Sequence, residues 1–198
     1  MSLLVINLYL FILAVVLAFL EIQIEGRHGW AAKLPTWRPS DQKWYVRAYT
    51  KIMSGKTFTG YHLSMFSFVV LIFHLPYVFG IPLTLASWLQ TLSLFFFFVV
   101  LWDFLWFVLN PHYPLVNFRR EHIGWHQRWW GAVPVDYYGG LMVSLVCQLP
   151  LVFAQGSLAP LGWWFTHLGL FSLETLIVVV YSLHILKIDN WFKSRDQS

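Results

Sequence analysis

Five apolar stretches, at 2–20, 61–79, 84–109, 138–155 and 162–186, divide this chain, and its basic residues respect the division. A helix needs about 20 predominantly apolar residues to cross the hydrocarbon core, fewer where flanking aromatics reach the headgroup layer, and each stretch meets or nearly meets that length. Arg27, Lys33, Arg38, Lys43, Arg47, Lys51 and Lys56 lie between the first and second stretches. Arg119, Arg120 and Arg128 lie between the third and fourth, and Lys187, Lys193 and Arg195 follow the fifth. The connections near 76–82 and 155–162 carry no basic residue. Five crossings therefore put all thirteen Lys and Arg residues on one side of the bilayer. The positive-inside bias makes that side the cytoplasm, with the N-terminus outside and the C-terminus cytoplasmic. Four or six crossings would split the charges. The expected fold is an all-α integral membrane protein: a single transmembrane domain over 1–198, multi-pass in the cell membrane.

Composition narrows the functional classes. Only 11% of residues are charged while 20% are aromatic, which suits a chain solvated by lipid. A net charge of +4 would suggest nucleic acid in a soluble protein. Here the cations flank membrane segments, so the expected partner is anionic lipid headgroups, not nucleic acid. Cys147 is the only cysteine, which excludes an intrachain disulfide and a cysteine metal cluster. The first apolar stretch has no basic n-region and no small-residue cleavage site before Glu21, so it reads as a retained helix rather than a signal peptide.

Two segments on the basic side have amphipathic patterns and are expected to lie in the interface as helices. In 41–53, Ser40 is positioned to cap, Trp44, Tyr45, Ala48, Tyr49 and Ile52 fall on one side, and Lys43, Arg47 and Lys51 fall on the other. In 118–130, Phe118, His122, Trp125 and Trp129 form an apolar side, and Arg120, Glu121, Gln127 and Arg128 a polar one. Ser54-Gly55-Lys56-Thr57 has the ending of a phosphate-binding loop, but position 50 is Thr where that loop needs glycine and no strand precedes it.

Metal-ligating side chains converge on the same side. Glu21, Glu25 and His28 share one face if the first helix runs on past the membrane, and Glu25-x-x-His28 is the carboxylate–histidine spacing of di-iron bundles. His122-x-x-x-His126 would share an ion across one helical turn. His62, His112, Asp136 and His184 lie at the same level. Mixed nitrogen and oxygen donors suit iron, manganese or zinc better than copper(I). The expected ligands are Glu21, Glu25, His28, His122 and His126. Arg119, Arg120 and Arg128 are expected to hold an anionic headgroup.

Ionisable groups inside spans are costly and are functional candidates by default. Asp103 interrupts an aromatic run, and Glu174 lies near the middle of the fifth span, in register with His167 and Tyr181. Asp103, Glu121 and Glu174 are therefore the expected catalytic carboxylates. The reading that follows is a small integral-membrane enzyme, metal-dependent and oxidase-, hydroxylase- or desaturase-like, acting on a lipid or isoprenoid at the cytoplasmic leaflet. The repeated histidine boxes of the membrane fatty-acid hydroxylases and desaturases, with their adjacent His-His pairs, do not occur in the chain. The alternative is a non-catalytic subunit that works beside other membrane subunits in a redox or photosynthetic complex and packs pigment or haem, the latter between His74 and His167.

Overall fold

The computed structural model describes residues 2–188; Lys193 and Arg195 lie outside them. Five helices are long and apolar enough to cross a membrane: α1 (Leu3–Glu25), α3 (Gly60–Val78), α4 (Leu85–Leu109), α5 (Val135–Gln155) and α6 (Ala159–Ile185). The chain is a multi-pass membrane protein. A sixth, short helix, α2 (Trp44–Ile52), lies in the first long connection. Strand pairing among the described residues is confined to a two-residue antiparallel ladder, Trp129–Trp130 against Val133–Pro134.

Start signals are read directly from side chains. Ser2, Thr59 and Thr84 cap α1, α3 and α4, each accepting a backbone N–H from the first turn. Asn110 ends α4 before Pro111; its amide donates to the carbonyl of Gly26 at 2.8 Å and its oxygen accepts from the N–H of His112. That contact ties the end of α1 to the end of α4. Pro150 follows a local break in α5 at Cys147–Gln148. The last turn of α6, Tyr181–Ile185, widens to π-helical geometry.

α4 is the centre of the bundle, packed on α1, α3, α5 and α6. Apolar residues occur around its whole circumference, and 56% of its most hydrophobic window is buried, the largest share of any span. Phe97, Phe98, Leu101, Leu105 and Phe107 form the core with Ala14, Ala18 and Ile22 of α1. The small alanines let α1 approach closely. Gly140 does the same for α5, since a Cβ there would lie 2.6 Å from Cγ2 of Val100.

The interfacial segments differ from expectation. α2 starts at Trp44, not Asp41, and it seats Val46, Tyr45 and Tyr49 inward, leaving Trp44 (75%) and Ile52 (78%) exposed. Phe58 fills the angle beneath it, edge-on to Tyr45 and Tyr49. The segment 118–130 is not helical: it runs as turns into the short ladder. Side-chain donors have taken the carbonyls a helix would use. The Tyr113 hydroxyl donates to the carbonyl of His122 at 3.1 Å, and the Trp129 indole donates to that of His126 at 2.7 Å. Burial pushes the Tyr113 hydroxyl up to about 12, so it stays a donor. Gly124 weakens the helix further, and Gly131, at φ 60°, makes the turn between the paired strands.

Candidate metal centre and its cavity

Glu21 and Glu25 stand one turn apart at the end of α1 and are buried. Gly26, at φ 60°, ends that helix immediately after Glu25. His62 sits in the first turn of α3, 3% exposed. Its Nδ1 lies 2.8 Å from Oγ1 of the capping Thr59. With the proton on Nδ1, the lone pair is on Nε2, and among the described residues that atom has no hydrogen-bond partner. Nε2 faces an oxygen of Glu21 at 3.9 Å and one of Glu25 at 3.7 Å. These separations are too long for hydrogen bonds. They are close to the gap of about 3–4 Å between two donors that each sit about 2.1 Å from one ion. One donor atom from each of the three residues lies within 4.8 Å of the others. This buried His/Glu triad could hold a metal ion.

The loop after α1 builds the wall of this site. Gly29, Trp30 and Ala31 are three successive residues with positive φ, 42°, 48° and 52°. For Trp30 and Ala31 that conformation is strained, at about 1–3 kcal/mol each. In return the Ala31 N–H donates to Glu25, and the Trp30 ring stacks on His62 at 3.9 Å. At Gly29 a Cβ would lie 2.4 Å from the Trp125 ring, so glycine is required there for space as well as for φ.

A second polar group adjoins the triad. Asp103 Oδ2 accepts from the Tyr137 hydroxyl at 2.5 Å and lies 3.2 Å from His126 Nε2. The other ring nitrogen of His126 lies 3.2 Å from Asp136. Both nitrogens of His126 face carboxylates, and only the imidazolium can donate to both. Burial alone would lower the His126 value. The Asp103 charge and the hydrogen bonds to Asp103 and Asp136 outweigh both that and the repulsion from Lys56, and the net shift is upward. Lys56, 4% exposed, completes the network at 3.8 Å from Asp103 and 3.4 Å from Asp136, with its ammonium 4.4 Å over the Trp30 ring. Two cations thus balance two carboxylates, and Lys56 links this network to the triad through Trp30.

Both groups open onto one cavity of about 440 Å³. Glu21, His62, Lys56, Asp103 and Tyr137 line its polar end, and Phe66, Phe96, Val100 and Val143 its apolar end. A void of about 20 Å³, enough for one water or ion, is lined by Glu21, Glu25, Trp30 and Asp103.

The expected ligands are redistributed. Glu21 and Glu25 are brought together, but with His62 rather than His28, because Gly26 ends α1 before His28 can share its face. His122 is exposed and His126 is buried with both nitrogens occupied, so the pair forms no shared ligand set without the helix that its spacing assumed. Asp103 lies at the site. Glu121 is exposed and lines neither void. Glu174 belongs to a separate cluster toward the other end of the bundle: Asn7 donates to it at 3.4 Å and contacts His167 with its other amide atom. Of the three arginines, Arg128 lines the main cavity while Arg119 and Arg120 are exposed away from its lining. Lys56, within the motif that resembles a phosphate loop, points to Asp103 and Asp136. The loop's Gly55 and Lys56 N–H groups are bonded to Thr50 and Met53. Tyr137 and the place of His62 in the triad were missed; Thr59-x-x-His62, a capping residue with histidine in the first turn, was the available signal for the latter.

No protein-family model matches this chain, and no curated protein or solved structure shows significant similarity to it.

Proposed function

We propose that this protein is a metal-dependent integral-membrane enzyme that acts on a lipid or isoprenoid substrate taken from the leaflet on its basic side, which the distribution of Lys and Arg makes the cytoplasmic one. The observation that carries the reading is the single cavity. Glu21 and His62 of the triad line it beside a membrane-level apolar wall, and Glu25 stands directly behind them, lining the small adjoining void. Pockets that hold small ligands are mostly apolar with a few placed polar groups, and this one has that character.

Glu21, Glu25 and His62 would hold the ion, and iron, manganese or zinc matches the donor set. Bound there, it would supply Lewis acidity at the polar end of the cavity. Thr59 holds the His62 ring through Nδ1, the outer-layer role that orients a metal-bound imidazole. Asp103, held by Tyr137, His126 and Lys56, is the proton-handling carboxylate within reach of a substrate in the cavity. The triad describes a one-ion site, so one-metal chemistry is favoured over the di-iron arrangement suggested by Glu25-x-x-His28.

Elemental analysis of the purified protein tests the reading. About one equivalent of transition metal per chain is expected, falling severalfold in His62→Gln and in Glu25→Gln while the far-ultraviolet dichroism of both variants is retained. Metal-free protein with visible absorption bands would instead favour a pigment-packing subunit.

A further inference from the structure

The 440 Å³ cavity does not end at the site. A second cavity of about 500 Å³ lies beside it, lined by Arg47, Thr50, Gly55 and Gln127 on the basic side of the molecule. Lys51, Ser54 and Arg128 line both, so they form a shared rim. The charges on this rim differ from those inside. Lys56 is neutralised by Asp103 and Asp136. Among the described residues, Lys51 and Arg128 form no salt bridge, and Asp41 is the one carboxylate that lines the outer cavity. An occupant spanning the two cavities must therefore be anionic at the rim and apolar beneath it.

The wall of the apolar arm is open at a glycine. Gly139 of α5 lines the inner cavity, and a Cβ there meets nothing within 4 Å. Its neighbour Gly140 closes α5 onto Val100. The inner volume falls within the roughly 300–1,000 Å³ of cavities that enclose one small ligand, which suits part of one chain rather than the two of a diacyl lipid. Two uncompensated cations match the charge of about −1.5 to −2 on a phosphate monoester better than the single charge of a carboxylate.

We propose that the adjoining cavities bind a phosphate-bearing, single-chain lipid, with its phosphate between Lys51 and Arg128 and its chain running past Gly139 against Phe96, Val100 and Val143. This rests on the reading that a lipid enters this cavity, but not on the metal.

The test uses the full chain in phosphatidylcholine nanodiscs, titrated with dodecyl phosphate, dodecanol or inorganic phosphate and followed by tryptophan fluorescence, since Trp30 and Trp102 line the cavity. Lys51→Gln and Arg128→Gln should each weaken dodecyl phosphate about fivefold and leave dodecanol unchanged. Gly139→Leu should weaken dodecyl phosphate about tenfold without moving inorganic phosphate, while Gly139→Ala keeps wild-type affinity. Metal content should be the same in all four variants, and Glu25→Gln should lose metal but keep dodecyl phosphate, so the two readings fail separately. Equal dodecyl phosphate affinity in wild type, Lys51→Gln, Arg128→Gln and Gly139→Leu would overturn the proposal. So would inorganic phosphate binding as tightly as dodecyl phosphate, which would mark a free-anion site.

Discussion

Replacing Lys56 by methionine keeps most of the length of the side chain and removes its charge from an enclosed ion network. The Lys56 side chain is 5% exposed, with those of Asp103 and Asp136 at 23% and 17%. At separations of 3.8 and 3.4 Å, each attraction is worth about 4 kcal/mol gross at an effective dielectric of about 20. Desolvation of three charged groups offsets most of that sum. What the substitution leaves behind decides the outcome: two carboxylates with only His126 to balance them. Breaking a buried pair by removing one partner costs about 3–5 kcal/mol, and the lost contact with the Trp30 face adds about 1 kcal/mol. Equilibrium unfolding in mixed micelles of SDS and a mild detergent, read by tryptophan fluorescence, should report a loss in that range. Adding Asp136→Asn to the Lys56→Met chain should recover part of it. A loss below about 1 kcal/mol, the worth of an exposed pair, would refute the reasoning, because it would mean that water already screens this network.

Three further outcomes are expected. The His126 value is raised above its ordinary 6.5 by its carboxylate partners, so its contribution to stability is complete below about 6.5 and is lost as pH rises through the folded-state value; the fall in unfolding temperature of wild type above pH 6.5 should be flattened in His126→Gln. Gly140→Ala should cost about 1 kcal/mol or more by forcing a Cβ against Val100, whereas Gly139→Ala should cost nothing measurable in the same unfolding assay. In a Cys147→Ser background, cysteines at Gly80 and Ser157 should react with a membrane-impermeant reagent added to intact cells and one at Gln42 should not; the reverse pattern would invert the assigned orientation.

The five spans were legible because membrane crossing is written in length and hydropathy, and the observed ends fall close to the expected ones, apart from the five extra residues of α1. Those residues mattered, since they carry Glu21 and Glu25 into the site. The i, i+4 relation of these two carboxylates was readable, as was the importance of Asp103, a carboxylate among aromatics that had to find partners. His28 falls outside the triad because its spacing to Glu25 has meaning only on a continuous helix, and Gly26 ends that helix. The 118–130 segment was misread for a related reason. Its amphipathic pattern is real, but Tyr113 and Trp129 donate to carbonyls that a helix would occupy, and Asp103 and Asp136 hold His126 from two different directions. These side-chain contacts span three to 23 residues of sequence, and no helical periodicity encodes them. The pairing of His62 with α1 belongs to the same class.

The central claim is that Glu21, Glu25 and His62 surround one ion. The most direct measurement is an anomalous difference map from crystals of the purified protein, recorded at the absorption edge of the metal found by elemental analysis. The account expects one strong peak about 2.0–2.2 Å from Nε2 of His62 and from one carboxylate oxygen each of Glu21 and Glu25. A fully ordered site without a peak, with His62 bonded directly to a carboxylate instead, would contradict it.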